Sequence, residues 1–301
     1  MLAKPNEIQI TRIYEAPVKL VWEVWTNLKH VEKWWGPRGF TLTTKSKDLR
    51  PGGKWIYTMH GPDGTDYPNI ATYHEVVKYE KLVYDHGGNE ERDKLFTVTA
   101  TFKEEEGRTI LRMIFALPSP EEAKAMQQFI KNANGDSTWD RLGEYLENET
   151  AGKDVFIINR SFSADIKTVF EMWANPDHFA KWLGPIGSTM GFISVEVKED
   201  GAAHWSMSSS DGETKYGQFN YKKISTPHLF VYTQNFCDRD GNLSKPPFSP
   251  TYPDRLMTTV RFFEEGSAET RVTVQWEVDG EATKTERQTF HEMKPLMTGG
   301  W

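Results

Sequence analysis

The sequence predicts an α+β fold made twice in tandem. Residues 1–150 and 151–301 each form a curved seven-stranded antiparallel sheet wrapped on a long C-terminal helix, with two short helices after the first strand. Three features carry this prediction. The first is a repeat: Val21–Pro37 reads VWEVWTNLKHVEKWWGP and Val169–Pro185 reads VFEMWANPDHFAKWLGP, 148 residues on. Without a gap, Ile10–Pro37 matches Ile158–Pro185 at 13 of 28 positions, among them the rare pairs Trp25/Trp173 and Trp34/Trp182. The second is a series of short strand-like runs separated by turn residues, whose short connections pair neighbours antiparallel. The third is an amphipathic helix after the last run.

Glu7–Tyr14 alternates Ile8, Ile10 and Arg12 with outward neighbours and stops at Ala16-Pro17, as a strand closed by a turn does. Val18, Val21, Trp22 and Trp25 then share one helical face, Asn27 ends that helix, and Val31, Trp34 and Trp35 make a second short one ended by Gly36-Pro37. Six strands follow: Phe40–Leu49, Lys54–His60, Asn69–Val77, Lys81–Asp85, Leu95–Glu104 and Arg108–Ala116. Arg50-Pro51-Gly52-Gly53, Gly61-Pro62-Asp63-Gly64 and Glu105-Glu106-Gly107 supply turns between them. Ser119 caps the long helix, with Pro120 in its first turn and Glu121 and Glu122 at the positive end of its dipole. Met126, Ile130 and Ala133 form its stripe, which Trp139, Leu142 and Leu146 continue past a kink or break at Asn134-Gly135.

The second copy repeats the order at the same offset: Gly53/Gly201, Met59/Met207, Asp63-Gly64/Asp211-Gly212, Tyr73/Tyr221 and Tyr84/Tyr232. It then carries about thirteen extra residues, a loop around Cys237–Pro253, if Phe102 is matched with Phe263. Its last helix, from about Glu281, includes Phe290, Met293, Leu296 and Met297. Placing Gly300 on Gly135 leaves no counterpart of Trp139–Leu146, so either the sequence stops short of that segment or the second domain ends on a shortened helix. The linker Ala151-Gly152 is short enough that the two copies are expected to pack together.

Composition narrows the function classes. The net charge is −7, with 20 Lys+Arg against 23 Asp+Glu in the first half and 16 against 20 in the second, and no basic run tracks a phosphate backbone. Nucleic acid is therefore not an expected partner. One cysteine, Cys237, excludes an internal disulfide and a cysteine-based zinc cage, and no His pair has metal-helix spacing. Residues 1–20 lack an apolar signal core and no run of eighteen apolar residues occurs, so a soluble, cytoplasmic protein without membrane insertion is expected. Gly52-Gly53 and Gly87-Gly88 lack the Lys and following helix of a phosphate-binding loop, so no cofactor is expected. The 11 Trp, 11 Tyr and 17 Phe suit a large core or an aromatic-lined cavity between sheet and helix.

Arg12…Ala16-Pro17, Val21-Trp22…Trp25-Thr26, Lys33-Trp34-Trp35-Gly36-Pro37, Asp48-Leu49-Arg50-Pro51-Gly52-Gly53 and Trp139-Asp140-Arg141-Leu142-Gly143-Glu144-Tyr145-Leu146 closely resemble homologues of the Hsp-90 ATPase activator's C-terminal domain. These belong to the START/Bet v 1-like group, also called polyketide cyclase-like or SRPBCC proteins. The resemblance covers the whole first copy. In the second it rests on Arg160, Ala164, Trp173, Trp182, Gly184 and Pro185, while the turn has become Glu196-Val197-Lys198-Glu199-Asp200-Gly201. It implies the helix-grip fold with a ligand-sized cavity, and either binding of small hydrophobic molecules or stimulation of a chaperone ATPase.

The candidate cavity residues are Trp25, Trp34, Trp35, Arg50, Tyr57, Met59, Tyr73, Glu75, Met126 and Ile130, with Trp173 and Trp182 in the second copy. The Trp34-Trp35-Gly36-Pro37 corner reads either as the lip of a pocket or as a packed corner, the latter with more weight because Gly36 and Pro37 serve the backbone. Arg50 could hold a ligand carboxylate, or tie its own turn to Asp48. Strand alternation places Tyr57 with Met59 on one face and Tyr73 with Glu75 on one face; an inward Glu75 among tyrosines would make an acid–base pair. His60, His74 and His86 face Ser208, Lys222 and Gln234 in the second copy, and each is expected to be solvated or satisfied in the core.

Three functions follow from these readings. The leading one is binding of a small hydrophobic or amphipathic molecule in the first copy without catalysis. A chaperone-ATPase interaction module rests on resemblance alone. A weak cyclase- or hydrolase-type enzyme needs Glu75 or a strand histidine in a cavity. The short linker carries its own test: after limited proteolysis between residues 150 and 155 the two halves should co-elute, and halves that separate freely would contradict their packing together.

Overall fold

A computed structural model describes residues 4–132, 137–151, 155–209, 212–266 and 268–299. The chain divides into two units, Met1–Thr150 and Ala151–Trp301. The first runs β1 (Glu7–Tyr14), α1 (Val18–Thr26), α2 (Leu28–Trp34), β2 (Thr41–Lys47), β3 (Lys54–His60), β4 (Asp66–Val77), β5 (Lys81–Gly88), β6 (Phe96–Glu105), β7 (Arg108–Ala116), α3 (Pro120–Asn132) and α4 (Ser137–Ala151). The second runs β8 (Val155–Phe162), α5 (Ile166–Ala174), α6 (Pro176–Trp182), β9 (Thr189–Val195), β10 (Ala202–Ser208), β11 (Thr214–Ser225), β12 (Leu229–Cys237), β13 (Leu256–Gly266), β14 (Glu269–Val278) and α7 (Lys284–Gly299). Each sheet has seven antiparallel strands, ordered β1-β7-β6-β5-β4-β3-β2 and β8-β14-β13-β12-β11-β10-β9. Both are meanders in which the first strand closes against the last. The expected break at Asn134-Gly135, Ala133, the linker residue Gly152, the turn residue Asp211 and the terminal Gly300-Trp301 lie outside the described residues.

Local chemistry explains the elements. Ile8, Ile10, Arg12 and Tyr14 alternate inward along β1. The first turn of α1 lacks a side-chain cap of its own; the Glu104 carboxylate, from the far hairpin, accepts the Val18 N–H at 2.9 Å. Asn27 ends α1 and caps α2, accepting the Lys29 N–H at 3.0 Å, and Asn175 does the same for Asp177. The chain then turns through Gly36 at φ 95° and, in the second copy, Gly184 at φ 120°, a backbone region costly for any residue with a Cβ.

The turn before β3 corrects a difference that sequence comparison suggested. In the first copy Gly53 N–H donates to the Arg50 carbonyl at 2.8 Å and Tyr73 N–H to the Gly53 carbonyl at 2.9 Å. In the second, Gly201 donates to Lys198 at 3.0 Å and Tyr221 to Gly201 at 2.9 Å. The backbone turn is conserved between the copies although its side chains are not. Gly52 at φ 80° is replaced by Asp200 at φ 60°, a residue that tolerates the left-handed region better than most.

Backbone bonds also locate the insertion. Phe102 N–H donates to the Glu80 carbonyl at 2.8 Å, and Phe262 N–H to the His228 carbonyl at 2.9 Å, so Phe102 corresponds to Phe262 and not to Phe263. The offset thus rises from 148 (Glu80 to His228) to 160 (Phe102 to Phe262), twelve residues in the β12–β13 connection. A bulge between Glu264 and Gly266 adds the thirteenth, after which Thr109 and Thr270 donate alike to the Ala16 and Ala164 carbonyls.

Two helices pack the first sheet where the sequence suggested one interrupted helix. α4 carries the deeper contacts. Trp139, Leu142 and Leu146 are all buried, and Trp139 stacks on Trp25 with centroids 5.6 Å apart and planes at 12°. Arg141 Nη1 donates to the carbonyls of Gly36 (2.7 Å), Pro37 (2.8 Å) and Phe40 (3.3 Å), and Nη2 to that of Lys33 (3.2 Å). Glu144 accepts a two-pronged bond from Arg38, with Nη1 at 2.9 Å. α7 covers the second sheet with the buried Phe290 and the flanking Met293 and Met297.

The α4 contacts generate a stability prediction. Trp139→Ala should cost about 3–5 kcal/mol in guanidinium unfolding of the full chain. Arg141→Met, which removes the guanidinium donor from four carbonyls, should cost about 1–3 kcal/mol. A loss below 1 kcal/mol in both variants would show that α4 is not a structural anchor.

Candidate functional site

The first unit contains a cavity of about 510 Å³ between the inner face of its sheet and helices α3 and α4. Ile10, Phe96, Val98 and Phe115 form its floor, and Met126 and Ile130 of α3 with Trp139 of α4 form its roof. The floor follows from strand alternation, since these residues share the inner face with Leu82, Ala100 and Met113. Trp35 and Met59 close one side. This volume lies in the range of small-molecule sites.

Polar groups gather at one end. The Tyr57 hydroxyl lies 3.4 Å from His86 Nδ1, and the His86 ring stacks on Phe96 with centroids 5.0 Å apart. Burial, reinforced by the positive charge of Arg92, pushes His86 down to about 4. Burial holds the Tyr57 phenol well above its ordinary value and does the same for Tyr84, whose neighbours Tyr57 and Tyr73 push it further. At neutral pH these groups are all uncharged, and the Tyr57 hydroxyl and His86 Nδ1 share one proton-bearing contact whose donor is set by the imidazole tautomer. Asn69 adds a side-chain carbonyl, its amide being used by Tyr67, and Arg92 stands at the mouth.

Of the sequence-derived candidates, Trp35, Met59, Met126 and Ile130 lie in the cavity wall. Tyr57 stands behind it and meets it through His86. Trp25 and Trp34 are core residues, Trp34 donating its indole N–H to the Val24 carbonyl at 3.1 Å. The double tryptophan therefore divides its work: Trp34 packs the corner and Trp35 faces the cavity. Tyr73 is buried against Tyr84, 5.9 Å between centroids, outside the wall. Trp173 and Trp182 pack on each other at 4.5 Å in the second core.

Two candidates are corrected. Arg50 is exposed on its turn and pairs with Asp48 at 2.8 Å, away from the cavity. Glu75 does not share the inward face of Tyr73, because a bulge between Tyr73 and Glu75 reverses the alternation; Val76 turns in, and Glu75 pairs outside with Lys81 at 2.8 Å. His74 pairs with Asp85 at 2.8 Å and His60 with Asp66 at 2.6 Å, both half-exposed. Lys47 sits 4.1 Å over the Trp55 ring and donates to the Trp25 carbonyl at 3.4 Å, and burial pushes its amine down to about 7 against the pull of Glu32. It serves the end of α1, not the cavity.

Sequence reasoning missed His86 and Arg92. By spacing His86 is one of three strand histidines, and Arg92 lies in the acidic connection between β5 and β6. A usable signal was present: Asn89, whose side-chain oxygen accepts the Glu91 and Arg92 N–H groups at 2.9 and 3.0 Å, marks an ordered loop.

His86 makes stability depend on pH. Its folded-state pKa lies below the ordinary 6.5, so the folded state resists protonation. The stabilisation is complete above about pH 6.5 and is lost as pH falls from 6.5 towards 4. Unfolding measured across this window should show a loss on the order of 3 kcal/mol that His86→Gln flattens. An identical pH profile in the variant would contradict a neutral, buried His86.

Comparison with known proteins places this geometry. The family profile described as "Activator of Hsp90 ATPase homolog 1-like protein" matches residues 15–147 and again 163–301. No curated protein matches the chain. Among solved structures, a protein from Nitrosomonas europaea is similar at 22% identity, covering 50% of this chain and 100% of its own, with a TM-score of 0.46. A protein from Arthrobacter aurescens is similar at 24% identity, covering 48% and 87%, with a TM-score of 0.44. The di-domain ARO/CYC BexL from the BE-7585A biosynthetic pathway is similar over 97% of this chain and 94% of its own, at 12% identity and a TM-score of 0.41. The profile matches both halves over nearly their whole length, and the chain belongs to the Activator of Hsp90 ATPase homolog 1-like family, in two tandem copies.

Proposed function

We propose that the first domain binds a small hydrophobic or amphipathic molecule between its sheet and helices α3 and α4, and releases it unchanged. The observation that carries this reading is the cavity itself, about 510 Å³ with an apolar floor and roof and a few convergent polar groups at one end. The chemistry of those groups supports binding over catalysis. A general acid or base works best with a pKa near the working pH. His86 is pushed down to about 4 and the neighbouring tyrosines far above neutrality, so none exchanges a proton readily at pH 7. Glu75, the carboxylate that a cyclase or hydrolase reading would use, faces the other side of the sheet. Among the described residues no helix is long and apolar enough to cross a membrane, and no His/Cys/Asp/Glu group has metal-binding geometry.

Two measurements test the proposal. Native mass spectrometry of protein purified from its host should show extra mass that disappears on denaturation. In solution, N-phenyl-1-naphthylamine should gain fluorescence with the wild-type chain. Ile130→Trp, which places an indole in the roof, should weaken that binding at least tenfold without lowering the melting temperature. Absence of the adduct together with absence of probe binding overturns the reading. The weight would then pass to the family's namesake activity, read by a chaperone ATPase assay with and without this chain.

A further inference from the structure

The cavity wall is chemically lopsided. Among the described residues Arg92 is its only permanent cation, and Asp66, its only carboxylate, is already engaged by His60 Nδ1 at 2.6 Å. Arg92 is exposed at the mouth, but it is not loose. Its Nε donates to the Gly87 carbonyl at 2.7 Å and its backbone N–H to the Asn89 side chain at 3.0 Å, which fixes the root of the guanidinium fork. Neither Nη has a partner among the described residues, and no carboxylate among them pairs with Arg92, although Glu90, Glu91 and Asp93 are its close neighbours in sequence. Behind it, the Tyr84 hydroxyl adds a further donor, with the Asn69 carbonyl as an acceptor. Such a set matches a group rich in acceptors, and a guanidinium fork matches a planar or tetrahedral oxyanion.

From this, and resting on the binding function proposed above, we propose that the ligand is an apolar or aromatic monoanion. Its hydrocarbon body lies between Phe96, Val98, Phe115 and the α3 roof, and its carboxylate, sulfonate or sulfate group is held at the mouth by Arg92. The second copy has no such arrangement: Gln234 stands at the position of His86, and the twelve-residue insertion replaces the Arg92 loop.

A pair of probes separates this inference from the reading beneath it. N-Phenyl-1-naphthylamine and 8-anilinonaphthalene-1-sulfonate share one aromatic frame, and only the second carries an anion. With the full chain, the sulfonate should bind about tenfold more tightly than the neutral probe. Arg92→Gln, which keeps a donor for the Gly87 carbonyl, should remove that preference by weakening the sulfonate about tenfold more than the neutral probe, with an unchanged melting temperature verifying the fold. Ile130→Trp should weaken both. If the neutral probe binds and the sulfonate binds no more tightly, or if Arg92→Gln leaves the sulfonate unaffected, the monoanion inference is wrong while cavity binding stands. Sulfonate binding that survives Ile130→Trp lies outside the cavity and also counts against it. If neither probe binds, both proposals fail.

Discussion

Trp139 lying flat on Trp25 is the contact from which the first domain's site is built. It joins the last described helix of the domain to the first, across more than a hundred residues of intervening sheet. The same Trp25 ring meets Trp34, Trp35 and Phe102 at 5.4 to 5.7 Å, so the stack is the hub of an aromatic cluster. Aromatic pairs in offset or edge-to-face contact add to the free energy of area burial, and rigid rings transmit position. With Trp139 fixed, Arg141 two residues on reaches the carbonyls around Gly36-Pro37, and Glu144 one turn later reaches Arg38. The corner is therefore held by α4 as well as by its own side chains, Trp34 packed beneath it and Arg38 paired with Glu144. The Pro37 carbonyl also accepts the Phe40 N–H at 3.1 Å, and for the others the guanidinium supplies a donor where the helical pattern has ended.

The cavity is what this anchoring leaves over. α4 brings Trp139 to one edge of the sheet's inner face, and α3 lies over the rest with Met126 and Ile130 only partly buried. Phe129 on α3 also borders the cavity and is 66% exposed, so this wall is more open than the α4 side. Few buried apolar contacts mean a low local cost of opening. The α3 side of the open cavity is thus the wall expected to yield first, with α4 staying in place.

The strands, turns and duplication were legible because they rest on local rules: alternation, turn residues and a fixed offset between copies. The WDRLGEYL motif was legible as a motif, but its roles were not. That Trp139 stacks, Arg141 clamps and Glu144 pairs depends on partners about a hundred residues away. Glu75 was misplaced for a physical reason: a bulge adds one residue to one strand and nothing in the sequence around Tyr73 announces it, although the second copy carries the same irregularity between Tyr221 and Lys223. His86 could not be separated from His60 and His74 by spacing alone. What distinguishes it is the inner face it shares with Tyr84, which makes its charged form costly.

A single cross-strand pair expresses how the copies diverged. In the first, Tyr57 faces Asn69 across β3 and β4, and both serve the polar end of the cavity, Tyr57 through His86 and Asn69 at the wall. In the second, Trp205 faces Gly217, and a Cβ on Gly217 would fall 2.1 Å from the indole. Trp205 thus occupies space that a side chain would need at the position matching Asn69, and Gly217 is required by that approach. The inserted loop extends the change, for Phe248 and Tyr252 pack on Phe236, which in turn contacts Trp205 at 5.9 Å. Lys245 secures the loop to α7 by pairing with Glu286 at 2.5 Å. The exchange of a phenol and an amide for an indole and no side chain replaces hydrogen-bonding capacity with packed carbon. The helix-grip scaffold accommodates both versions because the pair lies inside the sheet's concave face, where its identity changes the lining without altering the strand register that forms it.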